Sequence, residues 1–299
     1  MLRAMRLVSF GDRGCEVAGL LLDDGIVPVA ALDPSLPRTV KKLLAGAHLP
    51  RLAQCLKNCS FTPLPRGSVR LGPPIPDPGS IVCIGLNYRD HAAEQNIAWP
   101  ERPLLFSKAR NTLAGPTDPI VLPTDDGGPD YEVELALVIG RRCRNVNSAE
   151  ALTMIAGYMI GNDVTCRHWQ KSDGQWFRAK SCDSFYPCGP ALVTADEIPD
   201  PTRLRLTTTI DGTRLQDGTV SNLIHGIPAL IAFISRTMTL EIGDIISTGT
   251  PAGVGCYRKP PRFLQPGDVV ECTISDEEAG TNAGVDLGQL SNPVIAAQI

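Results

Sequence analysis

Hydrophobic and polar residues near the start of the chain alternate with the two-residue period of β-strands. Residues 5–10 form one alternating segment, and residues 16–30 form two more, which meet at the turn sequence Asp23-Asp24-Gly25. Apolar residues at helical spacing follow between positions 40 and 58, with an interruption near Pro50. Prolines then crowd positions 63–78. This predicts a boundary between a small N-terminal strand and helix region, residues 1–75, and a main domain, residues 76–299.

Short strands and loops dominate the predicted main domain. After residue 81 the pattern indicates two clear helices at most, one at residues 148–154 with Ser148 as its cap and one at residues 227–238 with Pro228 in its first turn. Late strands are predicted at residues 203–210, 244–247 and 268–275. The 26 prolines and 28 glycines suit many turns better than long helices. The sequence therefore predicts a mainly β fold of the α+β class with peripheral helices.

Charge and cysteine spacing narrow the possible partners and compartments. The formal net charge is −4 and Lys and Arg do not cluster, which argues against a nucleic-acid partner. The longest apolar runs, such as residues 227–234, are too short to span a bilayer, so we expect no membrane insertion. The ten cysteines include no Cys-x-x-Cys pair, which favours free thiols in a reducing compartment, the cytoplasm or the mitochondrial matrix, over secretion. The basic N-terminus is too short for a good transit peptide.

Two glutamates share one face of a predicted strand at residues 131–139. The odd positions are all apolar or aromatic, so Glu132 and Glu134 project from the opposite face. That face continues through Ala136 and Val138 without polarity, which indicates that it is also covered, and two buried neighbouring carboxylates need a cation. Asp163, after another apolar stretch, is the candidate third ligand, and three carboxylates favour Mg²⁺, Mn²⁺ or Ca²⁺. A solvated strand face is the alternative interpretation of the Glu-x-Glu pair.

A histidine and a glutamate three residues apart form the second candidate cluster. One helical turn would place His91 beside Glu94, where the carboxylate would fix the imidazole tautomer and raise its basicity. The pair would then act as a general base. On spacing alone, a polar pair on a surface helix remains the alternative.

Cationic and glycine-rich segments complete the candidate chemistry. Arg167, Gln170 and Lys180 lie in one short segment that could bind a substrate carboxylate or stabilise a developing enolate, with ordinary surface charge as the alternative. Residues 247–255 form a glycine-rich loop after a predicted strand, and such loops expose backbone N–H groups that hold anions. The loop lacks the Lys and the following helix of a P-loop, which excludes that type of nucleotide site.

Taken in order, these clusters resemble the fumarylacetoacetate hydrolase superfamily from about residue 81 to residue 295. The matching motifs are Gly85-x-Asn87-Tyr88-x-Asp90-His91-x-x-Glu94, Phe106-x-Lys108, Asp130-Tyr131-Glu132-x-Glu134, Asn162-Asp163-Val164, Lys180-Ser181 and Gly249-Thr250-Pro251-x-Gly253-Val254-Gly255. Each motif is modest alone, whereas all of them in this order are specific. Residues 87–96 and 258–268 are most similar to the eukaryotic branch represented by fumarylacetoacetate hydrolase domain-containing protein 2.

The resemblance implies a mixed β-sandwich roll that assembles as a homodimer and acts on small dicarboxylates or 1,3-dicarbonyl acids. The residue roles that it implies are metal ligands Glu132, Glu134 and Asp163, usually holding Mg²⁺, catalytic residues His91, Glu94 and Lys180, and Thr250 as a substrate-binding residue. The chain departs from the family pattern at His168, where an acid is usual, and at Cys182, where Phe is usual. These departures leave the exact substrate open.

Three reactions share the metal-bound enolate that the resemblance implies. Reprotonation gives keto–enol tautomerisation of oxaloacetate, which the domain-containing protein 2 branch implies and which we place first. Water attack gives hydrolytic C–C cleavage of an acylpyruvate or a fumarylacetoacetate-like substrate, and loss of CO₂ gives oxaloacetate decarboxylation. The sequence does not separate these reactions, because all need the same ligands and a base. A non-catalytic binding module is the alternative of another class, favoured only by the altered residues 165–168.

Overall fold

The structure is a computed structural model that describes residues 5–125, 127–276 and 284–297. Residues 1–4, which belong to the predicted poor transit peptide, lie outside the described residues. The strands in chain order are β1 Arg6–Phe10, β2 Val17–Leu22, β3 Gly25–Pro28, β4 Leu71–Gly72, β5 Ile81–Gly85, β6 Leu104–Ser107, β7 Leu113–Ala114, β8 Ile120–Leu122, β9 Pro129–Asp130, β10 Val133–Ile139, β11 Ile155–Asn162, β12 Thr165–Cys166, β13 Tyr186–Thr194, β14 Leu204–Ile210, β15 Thr213–Thr219, β16 Ile245–Ser247, β17 Val269–Asp276 and β18 Asp286–Ala296. The α-helices are α1 Val29–Leu32, α2 Val40–Ala45, α3 Leu49–Asn58, α4 Arg89–Glu94, α5 Ser148–Ala151, α6 Arg167–Asp173, α7 Phe177–Lys180 and α8 Ile227–Ser235.

Two stacked β-sheets form the body of the protein. The large sheet has the order β3-β2-β1-β13-β11-β10-β16-β5-β6, and the smaller sheet has the order β15-β14-β17-β18-β8. Apolar residues at alternate positions bring the sheets together, because Leu135 and Leu137 of β10 pack in one core with Leu206 of β14 and Ile274 of β17. Both sheets are mixed: the large sheet has the parallel pairs β16–β5 and β13–β7, and the smaller sheet has the parallel pair β18–β8. The predicted mainly β fold with a mixed sandwich is therefore confirmed.

Strand β10, which contains Glu134 and directly follows Glu132, is covered on both faces, and both glutamates are buried. Its even-numbered residues Ala136 and Val138 pack in a second core with Leu43 of α2 and Leu52 of α3. Every residue of β10 is buried. The prediction that the glutamate-bearing face is covered is confirmed, and the alternative of a solvated strand face is excluded.

The N-terminal strands extend the large sheet at one edge. Strand β1 pairs antiparallel with β13, with Leu7 opposite Leu192, and β2 and β3 continue the sheet outward. Helices α2 and α3 cover the face of the sheet on which the second core lies. The division into residues 1–75 and 76–299 stays a prediction.

Most predicted elements form where the sequence indicated, with three corrections. Asn147, and not Ser148, caps α5, because the Asn147 side chain accepts the Glu150 backbone N–H. Pro50 lies in the first turn of α3, so the predicted interruption separates α2 from α3. The limit of two helices after residue 81 is wrong, because α4, α6 and α7 also form. The sequence did not indicate α6 or α7, because α6 buries no residue and α7 is a single turn, so neither contains an apolar repeat. The last helix ends at Ser235 and not at residue 238, since the chain turns there to pair Leu240 with Cys143.

The cysteines and the helix lengths can be compared with the expectations from the sequence. All ten cysteines are free thiols, as predicted. Among the described residues, each helix is too short or too polar to cross a membrane.

Candidate metal centre and active-site cavity

Three carboxylates converge at the ends of β10 and β11. These strands pair antiparallel with Val133 opposite Asn162, so Asp163 follows β11 at the level of Glu132 and donates its backbone N–H to Glu132 O over 2.9 Å. Glu134 is the second residue of β10, and its side chain points to the same site as those of Glu132 and Asp163. All three side chains are buried, and one oxygen of each lies within 4.8 Å of the other two. Oxygen-only donors at this spacing suit a hard divalent cation.

Two buried lysines neutralise part of this negative charge. Lys180 Nζ lies 2.6 Å from both Glu132 Oε2 and Asp163 Oδ2. Lys108 Nζ lies 2.6 Å from Asp163 Oδ1. Burial favours a lower pKa for Lys180, but Asp163 and Glu132 outweigh it and raise that pKa, so Lys180 stays an ammonium. Lys108 belongs to a family motif, yet the sequence suggested no role for it, and only the fold reveals its contact with Asp163.

Arg167, the first residue of α6, connects Asp130, a fourth carboxylate, to Glu132 of the triad. Its guanidinium lies 2.8 Å from Asp130 Oδ2 through Nε and 2.5 Å from Glu132 Oε1 through Nη2. Nη1 donates to Gln170 Oε1 at 3.1 Å. Burial favours a higher pKa for Glu132, but Arg167 and Lys180 hold that pKa well below its usual range. Among the described residues, Nη2 has the ion-pair contact with Glu132 but no hydrogen-bond partner. The predicted contact of Arg167 with a substrate carboxylate stays a prediction.

Glu134 differs from its two neighbours because neutral groups donate to it. Ser247 Oγ donates to Glu134 Oε2 at 2.5 Å, and the Gly249 backbone N–H donates to the same oxygen at 3.1 Å. Burial, together with the charges of Asp163 and Glu132, raises the pKa of Glu134 to about 8. Of the three carboxylates, Glu134 is therefore the one whose negative charge the protein compensates least. A bound cation would remove the free-energy cost of burying that charge.

Helix α4 holds the predicted histidine and glutamate side by side. His91 Nδ1 lies 2.6 Å from Glu94 Oε1, and Glu94 Oε2 accepts the Gly253 backbone N–H at 3.0 Å. The predicted helical turn is confirmed, and His91 is buried, which excludes the alternative of a surface pair. A carboxylate only accepts hydrogen bonds, so Nδ1 carries the proton of the neutral imidazole and Nε2 keeps its lone pair.

The glycine-rich loop at residues 247–255 gives its backbone N–H groups to carboxylates of the protein itself. The donor and acceptor pairs are Gly249 with Glu134, Gly253 with Glu94, and Gly255 with Asp130. Gly249 and Gly253 have φ angles of 103° and 102°, a region that favours glycine. The anions that the sequence led us to expect at this loop are therefore side chains of the site.

Gln216 on β15 is a buried residue that the sequence did not single out. Its Oε1 accepts from Val133 N at 3.0 Å, and its Nε2 donates to Thr250 Oγ1 at 2.8 Å. Thr250 Oγ1 in turn donates to Val133 O at 2.9 Å. These bonds connect the smaller sheet with β10 and the glycine-rich loop, so they fix Thr250 at the cavity wall. A single glutamine on a polar strand carries no sequence signal for this contact.

One cavity of about 460 Å³ brings most of the predicted site residues together. The predicted residues that line it are His91, Glu132, Glu134, Arg167, Gln170, Lys180 and Thr250. Asp163 and Glu94 lie behind the cavity wall, where they contact the lining residues Lys180 and His91, respectively. His168, one of the departures from the family pattern, also lines the cavity and packs edge-on against Phe263, with 5.5 Å between ring centroids. Cys182, the other departure, packs against the neighbouring core.

Comparison with known proteins agrees with the resemblance of the motifs. The family model described as fumarylacetoacetate (FAA) hydrolase C-terminal matches residues 80–295. Oxaloacetate tautomerase fahd2, mitochondrial, from Xenopus laevis is 40% identical over 299 residues, which cover 98% of this chain and 91% of the relative. The predicted similarity to the domain-containing protein 2 branch is thereby confirmed.

Solved structures share the fold over nearly the whole chain. A putative HpcE protein from Mycobacterium smegmatis superposes with a TM-score of 0.83 at 35% identity, covering 98% of this chain and 100% of its own. Maleylpyruvate hydrolase from Sphingobium sp. SYK-6, solved with manganese(II) and pyruvate, gives a TM-score of 0.79 at 29% identity, with coverage of 98% and 100%. The chain belongs to the fumarylacetoacetate hydrolase family and is an enzyme.

Proposed function

We propose that this chain interconverts the keto and enol forms of oxaloacetate with the help of a divalent cation. The observation that carries the proposal is the cavity in which the carboxylate triad, the Lys180 ammonium and the His91 imidazole meet. The Xenopus relative, 40% identical, is named for oxaloacetate tautomerase activity. We assign metal binding to Glu132, Glu134 and Asp163, catalysis to His91, Glu94 and Lys180, and substrate binding to Arg167, Gln170 and Thr250.

The residues at the triad fit a hard divalent cation. Its cationic partners, two lysines and an arginine, contact Glu132 and Asp163, whereas Glu134 accepts from a hydroxyl and a backbone N–H. We propose Mg²⁺, with Mn²⁺ or Ca²⁺ as alternatives, because all three prefer oxygen ligands and the maleylpyruvate hydrolase was solved with manganese(II). Such an ion would polarise the 2-oxo group of the substrate and stabilise negative charge on its oxygen.

Side chains of the cavity supply the proton chemistry. Tautomerisation moves a proton between the carbon beside the 2-oxo group and the oxygen of that group. His91 Nε2 offers the lone pair that takes the proton, and Glu94 stabilises the imidazolium that forms. Lys180 remains an ammonium and offers positive charge to the enolate oxygen. Gln170 accepts from Arg167 through Oε1, so its amide N–H groups are the donors that it offers to a substrate carboxylate.

Hydrolytic C–C cleavage is the second candidate function. It is favoured by the structural similarity to maleylpyruvate hydrolase and by the His91–Glu94 pair, which can also activate a water molecule. Oxaloacetate decarboxylation uses the same stabilisation of negative charge and needs no further residue. The products therefore separate the three reactions.

One assay distinguishes these candidates. The purified protein with Mg²⁺ is given oxaloacetate or an acylpyruvate, and enol absorbance, CO₂ release and acid release are followed separately. We expect enol absorbance of oxaloacetate to change faster than in a Mg²⁺ blank, without release of CO₂ or a second acid. Acid release in place of enol exchange would replace the proposal with hydrolysis, and CO₂ release would replace it with decarboxylation. No change in enol absorbance, CO₂ or acid would contradict every candidate.

Two variants connect the activity with the carboxylate triad. Glu132→Gln should abolish Mg²⁺ binding, measured by calorimetry, together with activity. Glu150→Gln on the exposed surface of α5 removes the same kind of charge outside the cavity and should change neither. Activity retained in Glu132→Gln would remove the cation from the proposal.

We also propose a homodimer in the mitochondrial matrix. The family resemblance supports the dimer, and the Xenopus relative is named as mitochondrial, with the cytoplasm as the alternative for this chain. Light scattering should give twice the chain mass of 32.0 kDa, and a single chain mass would contradict the dimer.

Cell fractionation of the full chain tests the compartment, and limited proteolysis between residues 63 and 78 tests the predicted domain boundary.

A further inference from the structure

The imidazole nitrogen that takes the proton is covered by a neighbouring side chain. Glu94 holds the proton on Nδ1 of His91, which leaves the lone pair on Nε2. Gln95 Nε2 lies 2.9 Å from that atom. Because His91 Nε2 is an acceptor here, the amide of Gln95 donates an N–H to it. The hydrogen bond therefore occupies the same lone pair on which the proposed chemistry depends.

Tyr257 holds the other end of this glutamine. Its hydroxyl donates to Gln95 Oε1 at 2.9 Å, while Gln95 Nε2 faces His91. The Tyr257 ring also packs edge-on against the His91 ring, with 6.3 Å between centroids and 64° between planes. All three side chains line the cavity. Gln95 is the C-cap residue that follows α4, and Tyr257 follows the glycine-rich loop, so this contact connects two separate elements of the site.

We propose that Gln95 and Tyr257 form a removable cap on His91, which holds the imidazole in the free enzyme and gives way to the substrate. This inference rests on the proposed function, because it takes His91 as the base. A substrate proton and the Gln95 amide cannot occupy the Nε2 lone pair together. The capping hydrogen bond is consequently present in the free enzyme and absent in the transition state. Gln95 is half-buried at the end of α4, so its side chain can turn away without moving the helix.

Because the cap is present in the free enzyme and gives way to the substrate, its removal should change KM and leave kcat unchanged. An interaction made only in the free enzyme lowers kcat/KM and leaves kcat unchanged. Gln95→Leu should therefore lower KM for oxaloacetate roughly 2- to 12-fold, the value of one neutral hydrogen bond. Tyr257→Phe should act in the same direction but less strongly, since Gln95 keeps its bond to His91. Gln54→Leu, the same replacement on the exposed face of α3, should leave both constants unchanged.

Nitrogen-15 NMR of histidine-labelled protein tests the cap without any substrate. The chain has four histidines, so His91 can be assigned from its replacement by Gln. We expect the neutral His91 ring to carry its proton on Nδ1. The Nε2 resonance should move in Gln95→Leu and in Tyr257→Phe, but not in Gln54→Leu. A proton on Nε2, or an Nε2 resonance that Gln95→Leu leaves in place, would overturn the cap.

The two measurements separate failure of the cap from failure of the proposed function. If the wild-type protein turns over none of the candidate substrates, the proposed function is wrong, while the resonances still decide whether Gln95 covers His91. If Gln95→Leu keeps the dispersed spectrum of a folded protein but loses kcat as strongly as His91→Ala, Gln95 acts in the transition state. That outcome would overturn a cap that gives way to the substrate.

Discussion

Replacement of Lys108 by Met tests whether buried cations hold the carboxylate cluster together. The Lys108 and Asp163 side chains are fully buried, with 2.6 Å between Nζ and Oδ1, and Lys108 Nζ also donates to Val164 O at 3.1 Å. Met has a similar shape but no charge, so Lys108→Met removes the ammonium and retains most of the packing. Asp163 then keeps Lys180 as a cationic partner.

The expected loss follows from the burial of both charges. Removing one partner of a buried ion pair costs about 3–5 kcal/mol, because the remaining charge is left without compensation. Lys180 still contacts Asp163, so we expect the lower end of this range, about 3 kcal/mol. Domains are stable by about 5–15 kcal/mol, so this change in the free energy of unfolding is large. Mg²⁺ should restore part of the loss if it binds the triad in the folded state only.

Urea unfolding followed by tryptophan fluorescence measures this free energy with and without Mg²⁺. Lys57→Met, on the exposed surface of α3, is the matched control and should change the free energy by no more than about 0.5 kcal/mol. A loss below about 1 kcal/mol for Lys108→Met would refute the reasoning, because Asp163 would then not depend on Lys108 for compensation of its charge.

Three further outcomes are expected. His91→Ala should lower kcat by about 10²–10⁴-fold with little change in Mg²⁺ affinity, and full turnover would contradict its role as the base. Burial favours a higher pKa for Asp118, but Arg70, whose Nη2 lies 2.6 Å from Asp118 Oδ2, lowers that pKa below its usual value. This ion pair therefore stabilises the fold above the unfolded-state pKa and is lost as pH falls through the folded-state pKa. Asp118→Asn should flatten the fall in unfolding free energy below about pH 4, and an unchanged slope would contradict this account. Titration of the denatured, unreduced protein should find ten free thiols, whereas two or fewer would indicate disulfides.

Local periodicity in the sequence determined much of the fold and the identity of the main chemical groups. Alternation at residues 131–139 placed Glu132 and Glu134 on one strand face. Strand β10 begins only at Val133, so it contains Glu134, whereas Glu132 directly precedes it and lines the same cavity. Spacing of three residues placed His91 beside Glu94, and α4 forms that turn. Both predictions depend on contacts within a few residues of the chain, which the backbone geometry of a strand or a helix already fixes.

The tertiary structure alone decided which groups compensate the charges and which cover the base. Lys108 and Asp163 are 55 positions apart, and Gln216 lies 83 positions from Val133, so no local period connects them. Their contacts exist because β10 lies between β11 and β16 in the large sheet and the smaller sheet packs across it. The order of strands and the packing of two sheets arise from the burial of apolar area over the whole chain, and a motif read along the sequence does not contain that information.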